Sequence, residues 1–218
     1  MKKYEFTGET KRVELWNRTA TLHRIKATVE FGFVKVGELG GWIEKEENLS
    51  HEGKAWVCGD AKVCGDAKVC GNAKVCGDAE VWGNAKVCGN AKVCGDAEVC
   101  GDAEVWGNAK VCGDAEVCGD AEVWGNAKVW GNAKVCGDAE VFLASHVLVM
   151  GSVGSRNDFT TFFRDKDNEI TVKCGCFLGK IDKFLEKVTQ THGNNKYALV
   201  YRAAVEVAKL QIELTERK

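Results

Sequence analysis

The sequence of 218 residues is marked first by what it lacks. Proline is absent, while glycine occurs 25 times. Lysine and arginine number 30 against 32 acidic residues, so there is no basic excess of the kind that indicates bulk nucleic-acid binding. The longest apolar run, Val141–Val153, is interrupted by Ser145 and His146 and is shorter than the roughly 20 residues that span a bilayer. These absences exclude a membrane span and favour a soluble globular chain.

The first residues, MKKYEFTGETKRVELW, have a basic start but no apolar stretch of the kind a secretory signal requires. We therefore expect a protein of the reducing cytoplasm. Twelve cysteines would indicate a disulfide framework in a secreted chain. Ten of them occupy one position of a repeat, spaced by six residues or a multiple of six. We predict that they are free thiols with an architectural role.

A six-residue repeat dominates the chain. Fourteen units of the pattern G-[DN]-A-[KE]-V-[CWF] run from Gly59 to Phe142, and a degenerate unit, Gly53–Cys58, precedes them. Alternation of Ala and Val with Lys/Glu and Cys/Trp predicts a short strand with two faces. Gly followed by Asn or Asp predicts a turn. Such units form coils that stack on one another, with Ala and Val inside.

The repeat has a longer period of 18 residues, because Gly89–Trp106 and Gly107–Trp124 are identical. Three units per coil make a triangular prism, and the regular units fill four to five coils. At this period one corner stacks asparagines and one face stacks lysines, namely Asn72, Asn90, Asn108 and Asn126, and Lys74, Lys92, Lys110 and Lys128. Tandem duplication of an 18-residue segment explains the same regularity and gives the same period.

Large apolar side chains occupy several outward positions of the prism. They are Trp82, Trp106, Trp124, Trp130 and Phe142. Exposed apolar surface usually marks a partner surface, so we predict that these residues form an interface between copies of the chain. The lysine face has two interpretations. An anionic ligand or an acidic partner relieves the repulsion between stacked lysines, or the side chains spread into solvent at little cost.

With Val, a small Ala four positions later and a Gly-Asn/Asp turn, the repeat resembles the hexapeptide-repeat, left-handed β-helix family. The flanking segments Glu38–Val57 and Gly154–Asp167 are similar to those of uncharacterised hexapeptide-repeat proteins of phages and prophages. This resemblance implies a parallel β-helix, a homotrimer and the cytoplasm of an infected bacterial host. It implies no activity, because one fold carries many functions.

We therefore predict a mainly β protein in three parts. These are an N-terminal β cap in residues 1–52, a hexapeptide-repeat β-helix in residues 53–153 and a C-terminal α+β module in residues 154–218. Within the last part, Thr160–Arg164 and Ile170–Cys174 alternate around a turn and predict a β-hairpin. Apolar residues at helical spacing predict helices over Lys180–Thr191 and from about Lys196 to Leu214.

Catalytic residues are scarce. Acyltransferases of the resembled family pair a His base with a loop that breaks the coils, and no loop or histidine interrupts the fourteen units here. His146, just after the last unit, is the best-placed candidate base, and His51 is the other near a coil end. Cys174-Gly175-Cys176 offers two thiolates, whereas a structural zinc site needs four ligands. We predict no catalytic residue, no metal and no cofactor.

The stretch from Gly154 to Arg164 has the composition of a phosphate or nucleotide site. Arginine forks suit phosphate, hydroxyls and loop amides add donors, and aromatic rings stack on a base. The candidate ligand-binding residues are Ser155, Arg156, Asn157, Thr160, Thr161 and Arg164. The alternative is an ordinary hairpin that uses these residues for turns and surface pairs.

Together these features predict a non-catalytic, oligomeric binding or scaffold protein of phage type. Its C-terminal module binds a phosphate-bearing or nucleotide ligand, and one concrete version is sequestration of a host nucleotide signal used in antiviral defence. The alternatives are a hexapeptide-class acyltransferase and a structural spacer or fibre protein. Nothing in the sequence indicates a membrane partner or sequence-specific nucleic-acid recognition.

Overall fold

The computed structural model describes residues 2–15 and 18–214. Its main body is a parallel β-solenoid of about six turns. A small antiparallel sheet adjoins the N-terminal end of the solenoid, and a four-stranded antiparallel sheet with two helices follows the C-terminal end. The predicted mainly β fold, with stacked coils and an α+β region after them, is confirmed.

The N-terminal sheet runs directly into the solenoid. Its strands are β1 (Tyr4–Leu15), β2 (Arg18–Ala27) and β3 (Leu39–Ile43), followed by a 3-10 turn at Glu46–Asn48. β1, β2 and β3 pair antiparallel, but β3 also stacks in parallel on the repeat, with Ile43 opposite Val63. Leu49 likewise bridges to Val69. Parallel stacking therefore begins at Trp42, within the segment predicted as a cap, and adds a coil to the four or five expected.

The repeat supplies fifteen short strands in the described part of the chain. In chain order they are β4 (Trp56–Val57), β5 (Lys62–Val63), β6 (Lys68–Val69), β7 (Lys74–Val75), β8 (Glu80–Val81), β9 (Lys86–Val87), β10 (Lys92–Gly95), β11 (Glu98–Val99), β12 (Glu104–Val105), β13 (Lys110–Gly113), β14 (Glu116–Val117), β15 (Glu122–Val123), β16 (Lys128–Trp130), β17 (Lys134–Val135) and β18 (Glu140–Val141). Every third strand stacks on the same face, which gives the prism three sheets.

Each repeat unit folds this way because it buries two small apolar side chains and then turns at a glycine. The Ala and Val side chains of every regular unit are buried and form one continuous core. Backbone N–H groups donate to carbonyls of the next coil, as from Lys92 to Ala109 at 2.9 Å. The glycines have positive φ, for example +70° at Gly107, a conformation that side chains with a Cβ rarely adopt.

The 18-residue period is confirmed by the register of the strands. Lys92 lies opposite Lys74 on one side and Lys110 on the other. At the preceding corner, Asn72 Nδ2 donates to Asn90 Oδ1 at 3.1 Å. The same bond joins Asn90 to Asn108 and Asn108 to Asn126. The predicted asparagine corner and lysine face are therefore continuous features of the surface.

The C-terminal region packs two helices on an antiparallel sheet. Its elements are β19 (Val147–Val153), β20 (Asp158–Arg164), β21 (Ile170–Cys174), β22 (Phe177–Lys180), α1 (Ile181–His192) and α2 (Lys196–Gln211). The predicted hairpin is β20–β21, and Asn195 begins α2 by accepting from two backbone N–H groups. A 3-10 turn at Ala144–His146 precedes β19, which pairs with β20 instead of continuing the coil. In the described residues neither helix is long and apolar enough to cross a membrane.

Strand β20 and the turn after it close the C-terminal end of the solenoid. Phe163 joins the solenoid core, and Thr161 Oγ1 accepts from the backbone N–H of Lys134 at 3.0 Å. A buried ion pair joins Arg164 Nη1 to Glu140 Oε2 at 3.1 Å. Because a coil buries its open side only by stacking on a neighbour, this strand supplies the surface that the last coil lacks.

The prediction of free thiols is wrong for six of the repeat cysteines. The structure joins them as disulfides between neighbouring coils, namely Cys58–Cys76, Cys70–Cys88 and Cys94–Cys112. The in-register Cα atoms of each pair lie 4.7 Å apart, inside the about 4.4–6.8 Å usual for disulfides. The expectation rested on compartment, whereas coil stacking brings each cysteine beside its counterpart.

Candidate functional site

The candidate site is a cavity of about 220 Å³ in the C-terminal region. It lies between the turn that joins β19 to β20, the turn that joins β21 to β22, and the two helices. Its lining residues are Ser155, Arg156, Cys174, Cys176, Phe177, Phe184, Lys187, Val188, Thr191, His192 and Tyr201. The floor is apolar, because Phe184, Val188 and Tyr201 belong to the core of this region.

Two glycines hold the polar walls of the cavity close together. Gly154 has φ +74°, and a Cβ there would lie 2.0 Å from the Tyr201 hydroxyl. The phenol therefore packs on the Gly154 backbone, beside Ser155. Gly175 has φ +55°, and a Cβ there would lie 2.9 Å from Arg156 Nη1. Any larger residue at either position would displace Tyr201 or Arg156 from the cavity wall.

His192, Ser155 and Tyr201 form a polar group at the mouth of the cavity. Ser155 Oγ lies 3.4 Å from His192 Nε2, and the rings of His192 and Tyr201 stack with centroids 5.8 Å apart. Burial, followed by the nearby Cys174 thiol, raises the pKa of Tyr201. The phenol therefore stays protonated at neutral pH and keeps a proton to donate to a ligand.

The charged side chains that line the cavity are basic, and none is acidic. Arg156, Lys187 and His192 line it, and no carboxylate occurs among its lining residues. His192 is the last residue of α1. Because hydroxyls and a guanidinium face an apolar floor without an acidic counterpart, the cavity suits a compact anion with an apolar or aromatic part.

Only two of the six residues predicted to bind a ligand line the cavity. Ser155 and Arg156 line the cavity. Asn157, with φ +53°, completes the preceding turn. Thr160 is buried and its hydroxyl donates to Cys174 Sγ at 3.3 Å, while Thr161 and Arg164 contact the solenoid.

Strand alternation separates Thr160 from Thr161, because neighbouring residues of β20 point to opposite faces, and Arg164 reaches Glu140 of the last coil from the end of the strand. Phe162 joins the core beneath the helices and Phe163 joins the solenoid core. Sequence reasoning missed the helix side of the cavity, formed by Lys187, Thr191 and His192. The one available signal was the spacing of Lys187 and Thr191, which places both on one helix face beside the predicted buried stripe.

The five aromatic residues predicted to form an interface do not all lie on one surface. The rings of Trp106 and Trp124 stack 5.0 Å apart, and those of Trp124 and Phe142 stack 4.7 Å apart, as the 18-residue period predicts. Trp82 packs instead against the N-terminal sheet. Trp130 is 51% exposed on the lysine face. One continuous aromatic stack therefore contains three of the five residues.

Both histidines predicted as candidate bases pack against aromatic rings next to a coil end. His146 is fully buried, its ring meets Phe142 edge-on at 4.2 Å, and burial, together with Arg164, lowers its pKa to about 4. His51 stacks on Tyr4 at 4.3 Å, and its Nδ1 accepts from the backbone N–H of Lys3. Neither ring lines the cavity of the C-terminal region. In residues 2–15 and 18–214, no three His, Cys, Asp or Glu side chains are grouped to hold a metal.

The fold defines the class of this protein as a parallel β-solenoid that carries a C-terminal α+β region. Comparison with protein-family models and with curated proteins finds no match to the chain. The cavity and the surfaces of the chain are therefore the features that bear on its function.

Proposed function

We propose that the protein is a non-catalytic scaffold whose C-terminal region binds a small phosphate-bearing ligand. The observation that carries the proposal is the cavity, where Arg156, Lys187 and His192 surround an apolar floor and no lining residue is acidic. Arginine and lysine are the usual protein partners of phosphate. The rings of Phe177 and Tyr201 offer surfaces on which a base stacks.

The size of the cavity narrows the ligand class. Sites for drug-sized molecules enclose about 300–1,000 Å³, and this one encloses about 220 Å³. A mononucleotide or cyclic mononucleotide suits it better than a dinucleotide. Sequestration of such a host signal by a phage protein is the biological version of the proposal. Its phage origin rests on the resemblance of the flanking segments Glu38–Val57 and Gly154–Asp167.

A thermal-shift panel of inorganic phosphate, AMP, cyclic AMP, cyclic GMP and ADP-ribose tests this proposal. A ligand at about 100 times its Kd stabilises the folded state by about 2.7 kcal/mol. We expect cyclic or linear mononucleotides to raise Tm by several degrees, and phosphate alone to act more weakly. Arg156→Ala and Lys187→Ala should each abolish the shift.

Lys183→Ala is the matched control, because Lys183 lies on the same helix but pairs with Glu186 in solvent. It should retain the full shift. No stabilisation by any member of the panel at millimolar concentration would refute ligand binding at this cavity. An equal loss of the shift in Lys183→Ala would show a general charge effect and would also count against it.

Acyl transfer is the weaker alternative. It needs an accessible base, and His146 is fully buried. Ser155 and His192 form the one serine–histidine pair at the cavity, but no lining carboxylate orients the imidazole. Nucleophile activation usually relies on such a third group. The pair is therefore better suited to hydrogen bonding with a bound anion.

We also propose that copies of the chain associate through α2. One face of this helix is buried in the C-terminal region, but the opposite face exposes a second apolar row of Val200, Ala203, Val207 and Leu210. Their spacing of three and four residues is the seam pattern by which identical helices pack together. Leu210 at the end of the row is 89% exposed.

Sedimentation of wild type and variants tests self-association. We expect an oligomer at micromolar concentration, with three copies favoured by the family resemblance, and a monomer for Val207→Glu/Leu210→Glu. Val36→Glu, at a site 66% exposed in the N-terminal loop, is the control and should remain oligomeric. A wild-type monomer would refute the proposal. An oligomer that survives the double change but not Trp106→Ala would move the interface to the aromatic stack.

A further inference from the structure

One face of the prism carries positive charge alone. Lys74, Lys92, Lys110 and Lys128 lie in register on β7, β10, β13 and β16, and we call this row the basic face. In-register Cα atoms on this face are 4.7 Å apart. Like charges at this spacing repel one another unless a partner neutralises them. Among the described residues, none of the four forms an ion pair.

The other two faces mix lysines with glutamates, and most of their lysines are paired. On the second face, Lys62 pairs with Glu80 and Lys134 with Glu116. On the third face, Lys86 pairs with Glu104 at 2.7 Å. The same repeat position therefore accepts either lysine or glutamate in this fold. Only the basic face has lysine at this position in four successive coils.

Two corners flank the basic face: the one before its strands is neutral, whereas the one after them carries Asp78, Asp96 and Asp114. The asparagine ladder of Asn72, Asn90, Asn108 and Asn126 occupies the position where other corners carry mostly aspartate. Its amide groups bond to one another along the prism, so this corner has no carboxylate along the ladder. A polyanion that lies along the lysines therefore meets hydrogen-bonding amides on one side.

Exposed aromatic rings lie at both ends of the basic face. Phe33 is 86% exposed and lies 4.7 Å from Lys74 Nζ, and Trp130 is 51% exposed and lies 5.2 Å from Lys128 Nζ. Around Phe33 an open cavity of about 360 Å³ also includes Lys54 and Lys92. The sheet thus presents lysines between two rings whose faces are accessible.

We propose that the basic face binds a single-stranded nucleic acid without sequence preference. Lysines neutralise the backbone phosphates, and bases stack on Phe33 and Trp130, which is how proteins bind single strands non-specifically. The two rings are separated by three coil spacings of 4.7 Å. A stacked strand has one phosphate per about 3.4 Å, so the face spans roughly four nucleotides.

The rings distinguish this partner from other anions. An inorganic polyphosphate needs the lysines but has no base to place on Phe33 or Trp130. An acidic protein face also gains little from isolated rings at the ends of a flat row. Duplex DNA is less suitable, because its bases are already stacked within the helix and inaccessible to the rings.

Fluorescence anisotropy of the full chain with a labelled oligothymidylate of about ten nucleotides tests the proposal. Each phosphate contact contributes about −0.7 to the slope of log K against log salt for single strands. We expect a slope of about −3 for the wild type. Lys92→Glu/Lys110→Glu should weaken binding at least tenfold and bring the slope to about −1. Phe33→Ala and Trp130→Ala should each weaken binding about fivefold or more without changing the slope.

Two controls separate binding from folding and from general charge. Lys92→Glu places a carboxylate between Lys74 and Lys110, so its Tm should rise rather than fall. Lys68→Glu/Lys86→Glu makes the same change of net charge at the same repeat position on another face, and should retain at least half of the wild-type affinity.

Several outcomes would overturn the proposal. One is no anisotropy change at about 100 μM protein in about 50 mM salt. Another is equal weakening by Lys68→Glu/Lys86→Glu. If polyphosphate or polyglutamate competes as well as the oligonucleotide and the ring substitutions have no effect, the face binds anions without bases, and the assignment to nucleic acid is wrong.

Discussion

Replacement of Gly107 by alanine is expected to lower the free energy of unfolding by about 3 kcal/mol. Gly107 has φ +70°, where a Cβ costs about 1–2 kcal/mol. The new Cβ would also lie 2.9 Å from the backbone nitrogen of Gly125 on the next coil. Backbone atoms cannot swing aside as a flexible side chain does, so two coils in the middle of the stack must separate.

Gly131→Ala measures the conformational cost alone, so the difference between the two variants isolates the cost of the contact with the next coil. Gly131 has a similar φ of +63°, but a Cβ there would meet nothing within 4 Å. Its cost should be the conformational part alone, about 1–2 kcal/mol. Urea unfolding followed by far-UV circular dichroism measures both variants. Equal losses for the two would show that the coils adjust to the extra methyl group, contrary to the close stacking described above.

Loss of the Arg164 side chain is expected to destabilise the protein by about 3–5 kcal/mol, the usual effect of removing one partner of a buried ion pair. Arg164 Nη1 bonds to Oε2 and to the backbone oxygen of Glu140, and Nε bonds to Asn168 Oδ1. The guanidinium also lies 5.0 Å from the ring of Phe142. Arg164→Ala therefore removes both a charge and a packing contact between β20 and the last coil.

The double variant Arg164→Met/Glu140→Met shows whether the unpaired buried charge of Glu140 causes the loss of stability in Arg164→Ala. Apolar replacement of both partners of a buried pair is often neutral or stabilising. We expect the double variant to regain most of the stability lost in Arg164→Ala, as measured by urea unfolding. Arg156→Ala, which changes an arginine at the cavity, should leave stability within about 0.5 kcal/mol of wild type. A double variant as unstable as Arg164→Ala would mean that specific hydrogen bonds, rather than charge, hold this end.

The difference between Arg164 and Arg156 also shows where sequence reasoning ends. Both arginines lie in one polar stretch, and composition alone assigned both to a ligand site. Only the pairing of β20 with its neighbours and with the last coil places Arg164 against Glu140 and Arg156 in a cavity wall. The residues that complete the cavity, such as Lys187, come from a helix whose docking angle no local pattern encodes.

The solenoid was predictable because its constraints are local and repeated. A glycine turn, two buried side chains and an identical block of 18 residues determine the coil, the register and the rows of Asn, Lys and Trp. The same arithmetic could have paired Cys94 with Cys112, since residues 18 apart lie on adjacent coils. The coil formed by Leu39–Val57 was harder to recognise, because its sequence lacks the regular glycine spacing although its strands stack in the same register. The left-handed sense of the coil stays a prediction.

The identical blocks Gly89–Trp106 and Gly107–Trp124 give the rod an adjustable length. Unequal recombination between two copies of such a segment would insert or delete a whole coil, which moves the two ends apart or together by 4.7 Å and leaves their angular relation unchanged. Gain or loss of a single six-residue unit would instead rotate one end by a third of a revolution, because three units complete a coil. A family of such genes can therefore vary reach and orientation in discrete steps, without any change to the terminal regions.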